Sequence, residues 1–496
     1  MKSRTISNIK KLTKDSSIYG ASSVLSQLAS VFLIPFFTRA LEPSEYGVLA
    51  ISAMCLAFFS SIATLGMDGA LFRFYSLTDN PEKKLSYVST ANALKSLAVL
   101  FMLALIIPFY SIINEAFFQG LLTGYQFALI LATFAFDSLT ALTVVILRSE
   151  RKVMRIGINN IVVLAVSIGL SIYFVLILKM RIEGALLAGL LASVFRTILF
   201  TRETLRTFSF RAIRPDAMKE LLSYGLPIMP HKVQAQAITL FTMFMINERL
   251  GIASAGLYAV AQKLSKPLAL IVHVLQQSWV PYKFQIHKTE KSPQLVFRNL
   301  IIFYWLALLL FWGILSISAP PIFKSLINRK YWDGINYAPF IMFLSVARGF
   351  YYTVTTGFEL SKNQKKMVLG SFWGLVAMVS ASFATLKLPQ PYSFVLCQSL
   401  AFFIMAMVLF PEARRMIHIE YPFAKTFALF IFTSICIFIG YMSGSPYIKP
   451  LAMLLLVAGF AFFTYNNLPA HYLTKVRQLF LRVGKQRPAT LNEGPS

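Results

Sequence analysis

Six ionisable side chains stand where long apolar runs should hold none: Lys95, Lys232, Lys263, Lys266, Arg348 and Asp137. Each lies roughly 7 to 14 residues inside a run long enough to cross a bilayer. An ionised group at that depth costs about 2.5–3.5 kcal/mol on insertion scales, so each needs a reason to be there. The five cations outnumber the single acid, and pairing within the chain cannot neutralise them. The chemistry they suit is reversible binding of an anion with several oxygens, such as a diphosphate. Lysines would act there as point charges, and Arg348 could bind through two parallel hydrogen bonds.

The spacing of their neighbours points the same way. Lys263 and Lys266 are three residues apart on one helical face, beside Gln262. Ser345, Arg348, Tyr352 and Thr355 form a polar stripe at three- and four-residue steps, as do Thr133, Asp137 and Thr140. His231, Lys232, Gln234 and Gln236 interrupt a run that also holds Pro227 and Pro230. Converging stripes of this kind would line a wet cavity with a positive wall. Two of the six keep alternatives. Lys95 reads either as cavity lining or as a lysine snorkelling to the interface. Asp137 reads either as a partner for a cation such as Lys95 or as a proton carrier. Arg196, nearer its span's end, reads as a snorkelling side chain.

Catalytic constellations are missing. There is no P-loop of the form GxxxxGKS/T, no HExxH and no paired cysteine motif. Cys55, Cys397 and Cys436 all fall within apolar runs and read as packing residues. No metal or cofactor is expected, and an ion gradient, the membrane potential or the substrate's own gradient is the expected source of free energy.

The elements that carry these residues are membrane spans. Only 14% of the chain is charged, against about 25% in soluble proteins, too little to coat several soluble domains. About fourteen apolar runs are long enough to be helical spans, which predicts an all-α membrane protein. Most of the 47 Lys and Arg fall in alternate connectors, which puts both termini on the cytoplasmic side. The formal charge of +27 then suits anionic headgroups rather than nucleic acid. No connector is long enough to house an external catalytic domain.

The chain also repeats itself. Tyr19-Gly20 corresponds to Tyr224-Gly225, and the connector Leu41-Glu42-Pro43-Ser44-Glu45-Tyr46-Gly47-Val48-Leu49-Ala50 to Leu250-Gly251-Ile252-Ala253-Ser254-Ala255-Gly256-Leu257-Tyr258-Ala259. Two six-helix bundles related by a pseudo-two-fold along the membrane normal follow, with the substrate between them. The expected organisation is an interfacial segment at 1–15, bundles at 16–217 and 218–411, an appended helix pair at 412–468 and a basic cytoplasmic tail at 469–496. Pro35, Pro227, Pro230 and Pro267 are candidate places for the bundles to bend.

Several of these segments resemble the Wzx-type polysaccharide flippases of the multidrug/oligosaccharidyl-lipid/polysaccharide (MOP) exporter superfamily. They are Tyr19-Gly20 through Pro35, Glu42-Pro43-Ser44-Glu45-Tyr46-Gly47, Leu65-Gly66-Met67-Asp68-Gly69-Ala70-Leu71-Phe72-Arg73-Phe74-Tyr75, and Tyr224-Gly225-Leu226-Pro227 with Gly256-Leu257-Tyr258. The resemblance implies two bundles around a cationic cavity in a bacterial inner membrane, working by alternating access with H⁺ or Na⁺ coupling. It implies a polyprenyl-diphosphate-linked glycan as substrate, and membrane lipids and other polysaccharide-assembly proteins as partners. In that family segment, Asp68 and Arg73 read most simply as a helix-end ion pair. The competing readings are a multidrug exporter of the same superfamily, whose cavity would be acidic, a membrane-embedded glycosyltransferase or polymerase, and a non-transporting scaffold.

Overall fold

A computed structural model describes residues 31–150, 152–273, 293–360, 366–387, 390–416, 423–442 and 447–467. Its described elements are all helical. The first half runs α1 (Ile34–Ala40), α2 (Pro43–Ala63), α3 (Met67–Leu77), α4 (Pro81–Ile106), α5 (Tyr110–Phe118), α6 (Gly124–Ser149), α7 (Val153–Ser171) and α8 (Arg181–Arg206). The second runs α9 (Pro215–Leu250), α10 (Ile252–Leu264) and α11, described over 266–273. It continues with α12 (Pro293–Leu326), α13 (Ala338–Val354), α14 (Thr356–Leu360), α15 (Met367–Ala384) and α16 (Pro391–Met416). Then come α17 (Phe423–Met442) and α18 (Ile448–Asn467). The amphipathic stretch expected at 1–15, most of the first span and the basic tail lie outside the described residues.

Helix starts follow from local chemistry. Pro43 opens α2 behind a capping box in which the Glu42 backbone N–H donates to the Glu45 carboxylate at 2.8 Å. Asn80 caps α4 by accepting from the Glu82 N–H at 2.9 Å, with Pro81 next. Thr123 and Gln126 form a second box for α6. Cys55, Cys397 and Cys436 are buried free thiols.

Ten helices among the described residues are long and apolar enough to cross a membrane, fewer than the fourteen runs read from sequence. The shortfall has two sources, coverage and polarity. The first span lies mostly outside the described residues. The runs around α9, α10 and α13 carry the polar side chains: α9 holds His231, Lys232 and Gln234, and α10 ends at a turn on Ser265. Helix α13, with Arg348, has 17 residues. At 36 residues, α9 would extend about 54 Å, ample to span.

The prolines fall differently from one another. Pro227 and Pro230 sit inside α9, which continues through both. Pro35 lies in the first turn of α1, where a proline is tolerated. Pro267 follows the turn at Ser265 that separates α10 from α11. The chain also turns sharply at Leu65-Gly66, both in the left-handed region at φ 51° and 70°.

The two halves meet through glycine. A Cβ placed on Gly47 would lie 2.1 Å from the Ile252 carbonyl oxygen, and one on Gly256 would lie 1.9 Å from that of Pro43. In the register of the repeated connectors Pro43 corresponds to Ile252 and Gly47 to Gly256. The contact is therefore reciprocal, as a two-fold axis requires. Near the opposite end of α2, Gly66 and Gly225 pack backbone to backbone: a Cβ on Gly66 would lie 2.2 Å from the Gly225 oxygen. Small residues that let backbones approach are the means by which membrane helices associate.

The chain divides into two compact units, residues 1–288 with 318–418, and 289–317 with 419–496. The first contains α1–α11 and α13–α16. In the second, the early part of α12 packs on α17 and α18. Trp312 stacks on Phe430 with centroids 5.6 Å apart, and Gly313 accommodates Leu456.

Replacing Gly256 by Val should lower stability by about 1–3 kcal/mol through overpacking, read as a reduced melting temperature of the detergent-solubilised protein. Gly189→Ala, where nothing lies within 4 Å of the added carbon, should leave it unchanged. Equal melting of the two variants would contradict the contact.

Candidate functional site

The ionisable residues singled out by sequence resolve into two clusters with different electrostatics. The first is built by α10, α11 and α13. On α10, Tyr258 and Gln262 are one turn apart, and the Gln262 amide donates to the Tyr258 hydroxyl at 3.4 Å. One position further, Lys263 places its ammonium 4.8 Å from the ring centroid of Tyr46, across the contact with α2. Tyr46 is buried and its hydroxyl has no hydrogen-bond partner. Lys266 follows just past the turn, close enough for the two lysines to repel.

Arg348 enters from α13. Its guanidinium lies 5.1 Å from the centroid of Phe402 on α16, and its buried Nε has no hydrogen-bond partner. Its electrostatic neighbours are Tyr352 and Tyr258. Among the described residues no carboxylate forms an ion pair with Lys263 or Arg348. Their company is aromatic, and a cation over a ring gains only about 0.5–2 kcal/mol. That is less than full neutralisation and leaves their donors available.

In the second cluster charge is nearly balanced. Lys232 on α9 reaches both carboxylate oxygens of Asp68 on α3, at 2.7 and 2.6 Å. On the other side Arg196 of α8 meets Asp137 of α6 at 3.3 Å. Lys95 on α4 is 2% exposed, has no hydrogen-bond partner, and feels Asp68 and Asp137 as its electrostatic neighbours.

Two sequence readings are corrected here. Asp68 does not serve Arg73. Five residues apart on a helix are about 140° apart around its axis, so Asp68 turns to Lys232 while the Arg73 guanidinium lies 4.8 Å over the Tyr224 ring. Arg196 does not simply snorkel, because a carboxylate on the neighbouring helix holds it.

The polar residues beside Lys232 also find structural partners. His231 bonds Ser371 on α15 at 2.9 Å, and the Gln234 amide donates to the Ser371 carbonyl. These bonds tie α9 to α15 within the second half. Tyr46, Tyr258 and Phe402, which seat the cations of the first cluster, escape a sequence reading because an aromatic residue in an apolar run looks like core.

At the connector end further polar contacts cross between the halves. Lys330 pairs with Glu42 at 3.1 Å, and the Tyr331 hydroxyl donates to the Leu41 carbonyl at 3.1 Å. At the Asp68 end, the Tyr87 hydroxyl donates to Glu220 at 2.5 Å.

A double-mutant cycle on Asp68→Asn and Lys232→Gln should give a coupling of about 1 kcal/mol, the upper range for partly exposed pairs. Exchanging the two charges should recover most of the loss in melting temperature. Additive single effects would contradict the pair.

Comparison with known proteins identifies the fold and the family. The family described as polysaccharide biosynthesis protein matches residues 12–287, more than half the chain. The Lsg locus protein 1 of Haemophilus influenzae is 22% identical over 288 residues, spanning 57% of this chain and 68% of that one. Among solved structures, the lipid II flippase MurJ in an inward closed conformation superposes with a TM-score of 0.65 at 14% identity, covering 90% of this chain and 97% of that one. An inward-facing multidrug resistance MATE family transporter of the MOP superfamily gives 0.59 at 16% identity, covering 81% and 94%. The chain is thus a multi-pass membrane protein with a MOP-type fold, and it belongs to the polysaccharide biosynthesis protein family.

Proposed function

We propose that the protein is a flippase that carries an undecaprenyl-diphosphate-linked oligosaccharide from the cytoplasmic to the outer leaflet of a bacterial inner membrane, for surface polysaccharide assembly. The observation that carries this reading is the unneutralised positive charge of Lys263 and Arg348, seated on aromatic rings beside Lys266. An anion with several oxygens supplies what these groups lack. Lys232 would join them when its bond to Asp68 opens. The glycan would occupy a wet cavity that opens near Gln262, Tyr258 and Tyr352 as the halves separate, and the polyprenyl chain would remain in lipid.

Both termini would face the cytoplasm, following the distribution of Lys and Arg. The reciprocal Gly47–Gly256 contact then closes the outer mouth, and Asp68–Lys232 spans the halves toward the inner one. Alternating access would break and remake these two contacts in turn, with an H⁺ or Na⁺ gradient as the drive and Asp137 as a candidate coupling group. Translocation of this kind needs no bond chemistry, so the protein would not be an enzyme. A multidrug exporter would need an acidic cavity for its cationic substrates, and the unmatched charge here has the opposite sign.

Lys263→Ala or Arg348→Ala should abolish transport while membrane insertion and yield stay normal. The assay is accumulation of lipid-linked oligosaccharide on the cytoplasmic leaflet of inverted vesicles. Full activity in both variants would overturn the assignment, and drug accumulation with normal surface glycan would favour the exporter.

A further inference from the structure

A cleft of about 270 Å³ lies between α4 and α6, lined by Asn92, Lys95, Ser96, Leu100, Leu103 and Leu139 among others. Its rim reaches the outer surface, where Ser96, Leu100 and Leu139 are exposed. The adjoining Leu97 and Phe101 are 66% and 62% exposed, as lipid-facing side chains of a span are. Within this apolar surround, two buried polar atoms of facing helices have no hydrogen-bond partner: the ammonium of Lys95 and the hydroxyl of Ser138, which also lines the cleft. The Asn92 amide NH2 donates to the Val88 carbonyl at 3.0 Å, and its oxygen accepts from neither group.

Buried polar groups are almost always satisfied, and leaving one unmade costs about 1–3 kcal/mol. Both residues line the cleft with these atoms closed off from its open space, and an acceptor there reaches them once the side chains rotate toward it. The surrounding charge indicates its valence. Lys232, Lys95 and Arg196 are balanced by Asp68 and Asp137 except for a single positive charge. The lining has too few polar groups, and the cleft too little volume, for an oligosaccharide.

We propose that this cleft binds a monoanionic amphiphile drawn from the surrounding lipid. Its acidic head, a phosphodiester or a carboxylate, accepts from Lys95 and Ser138, and its chain lies along Leu100, Leu103 and Leu139. The site is separate from the Lys263–Arg348 cluster and stands whether or not the flippase reading does.

The test uses the full-length protein in nanodiscs with photoactivatable phosphatidylglycerol, phosphatidylcholine or oleic acid, and maps labelled peptides by mass spectrometry. An anionic probe should label the α4 and α6 peptides about five-fold more than phosphatidylcholine, a preference of about 1 kcal/mol. Lys95→Gln should bring labelling down to the phosphatidylcholine level. Ser96→Trp, which blocks the exposed rim, should suppress labelling by every probe and decides the matter if the Lys95 variant fails to fold. Labelling by phosphatidylglycerol alone identifies a phosphodiester lipid, and by oleic acid alone a free carboxylate; either supports the site. Equal labelling by phosphatidylcholine, an anionic preference that survives Lys95→Gln, or labelling untouched by Ser96→Trp overturns it.

Discussion

A bilayer core offers no water to an ionised side chain, so every charge carried into it must find its partner in the protein or in something the protein binds. The described structure meets that demand in two ways. Lys232 and Arg196 take carboxylates from neighbouring helices. Lys263 and Arg348 instead rest on aromatic faces, which stabilise a cation without neutralising it. The first arrangement holds helices together and can persist. The second keeps a cation in place yet free to exchange its ring for a stronger anionic partner. Substrate binding is best sought where neutralisation is incomplete.

The contact between the halves has a matching economy. At the repeated connectors the halves touch through Gly47 and Gly256, with backbone against backbone. Such a surface is close enough for dispersion forces to act along its length. Two polar bonds accompany it, an exposed one from Lys330 to Glu42 and a buried one from Tyr331 to Leu41. Lys263 reaches across the same seam to Tyr46, which places one of the exchangeable cations where the halves would separate.

Much of this was legible in one dimension. Long apolar runs announced the spans, and the repeat of Leu41–Ala50 in Leu250–Ala259 marked two corresponding segments, though not that they touch through the reciprocal glycine contact. The polar stripes in the runs around α9, α10 and α13 marked the helices too polar or too short to count as plain spans. What sequence could not supply was the rotation of one helix against another, and that rotation chooses partners. Asp68 and Arg73 look like a pair on paper but point to different neighbours. Arg196 looks free until α8 packs on α6. The aromatic seats at Tyr46 and Phe402 were hidden for the same reason, since nothing in an apolar run says which ring will face a cation. Prolines signalled bends, yet α9 runs through two of them, while the left-handed turn at Leu65-Gly66 carried no signal beyond a single glycine.

The central claim is that incompletely neutralised cations in the α10–α13 cluster bind a diphosphate. Its most direct test is equilibrium binding of farnesyl diphosphate and farnesol to the protein in nanodiscs, for the wild type and a Lys263→Ala/Arg348→Ala double variant. The account predicts that the diphosphate binds at least about ten-fold more tightly than the alcohol, a difference of about 1.4 kcal/mol. It also predicts that the double variant loses this preference while farnesol affinity is unchanged. Equal affinities in the wild type, or a preference that survives the double substitution, would contradict it.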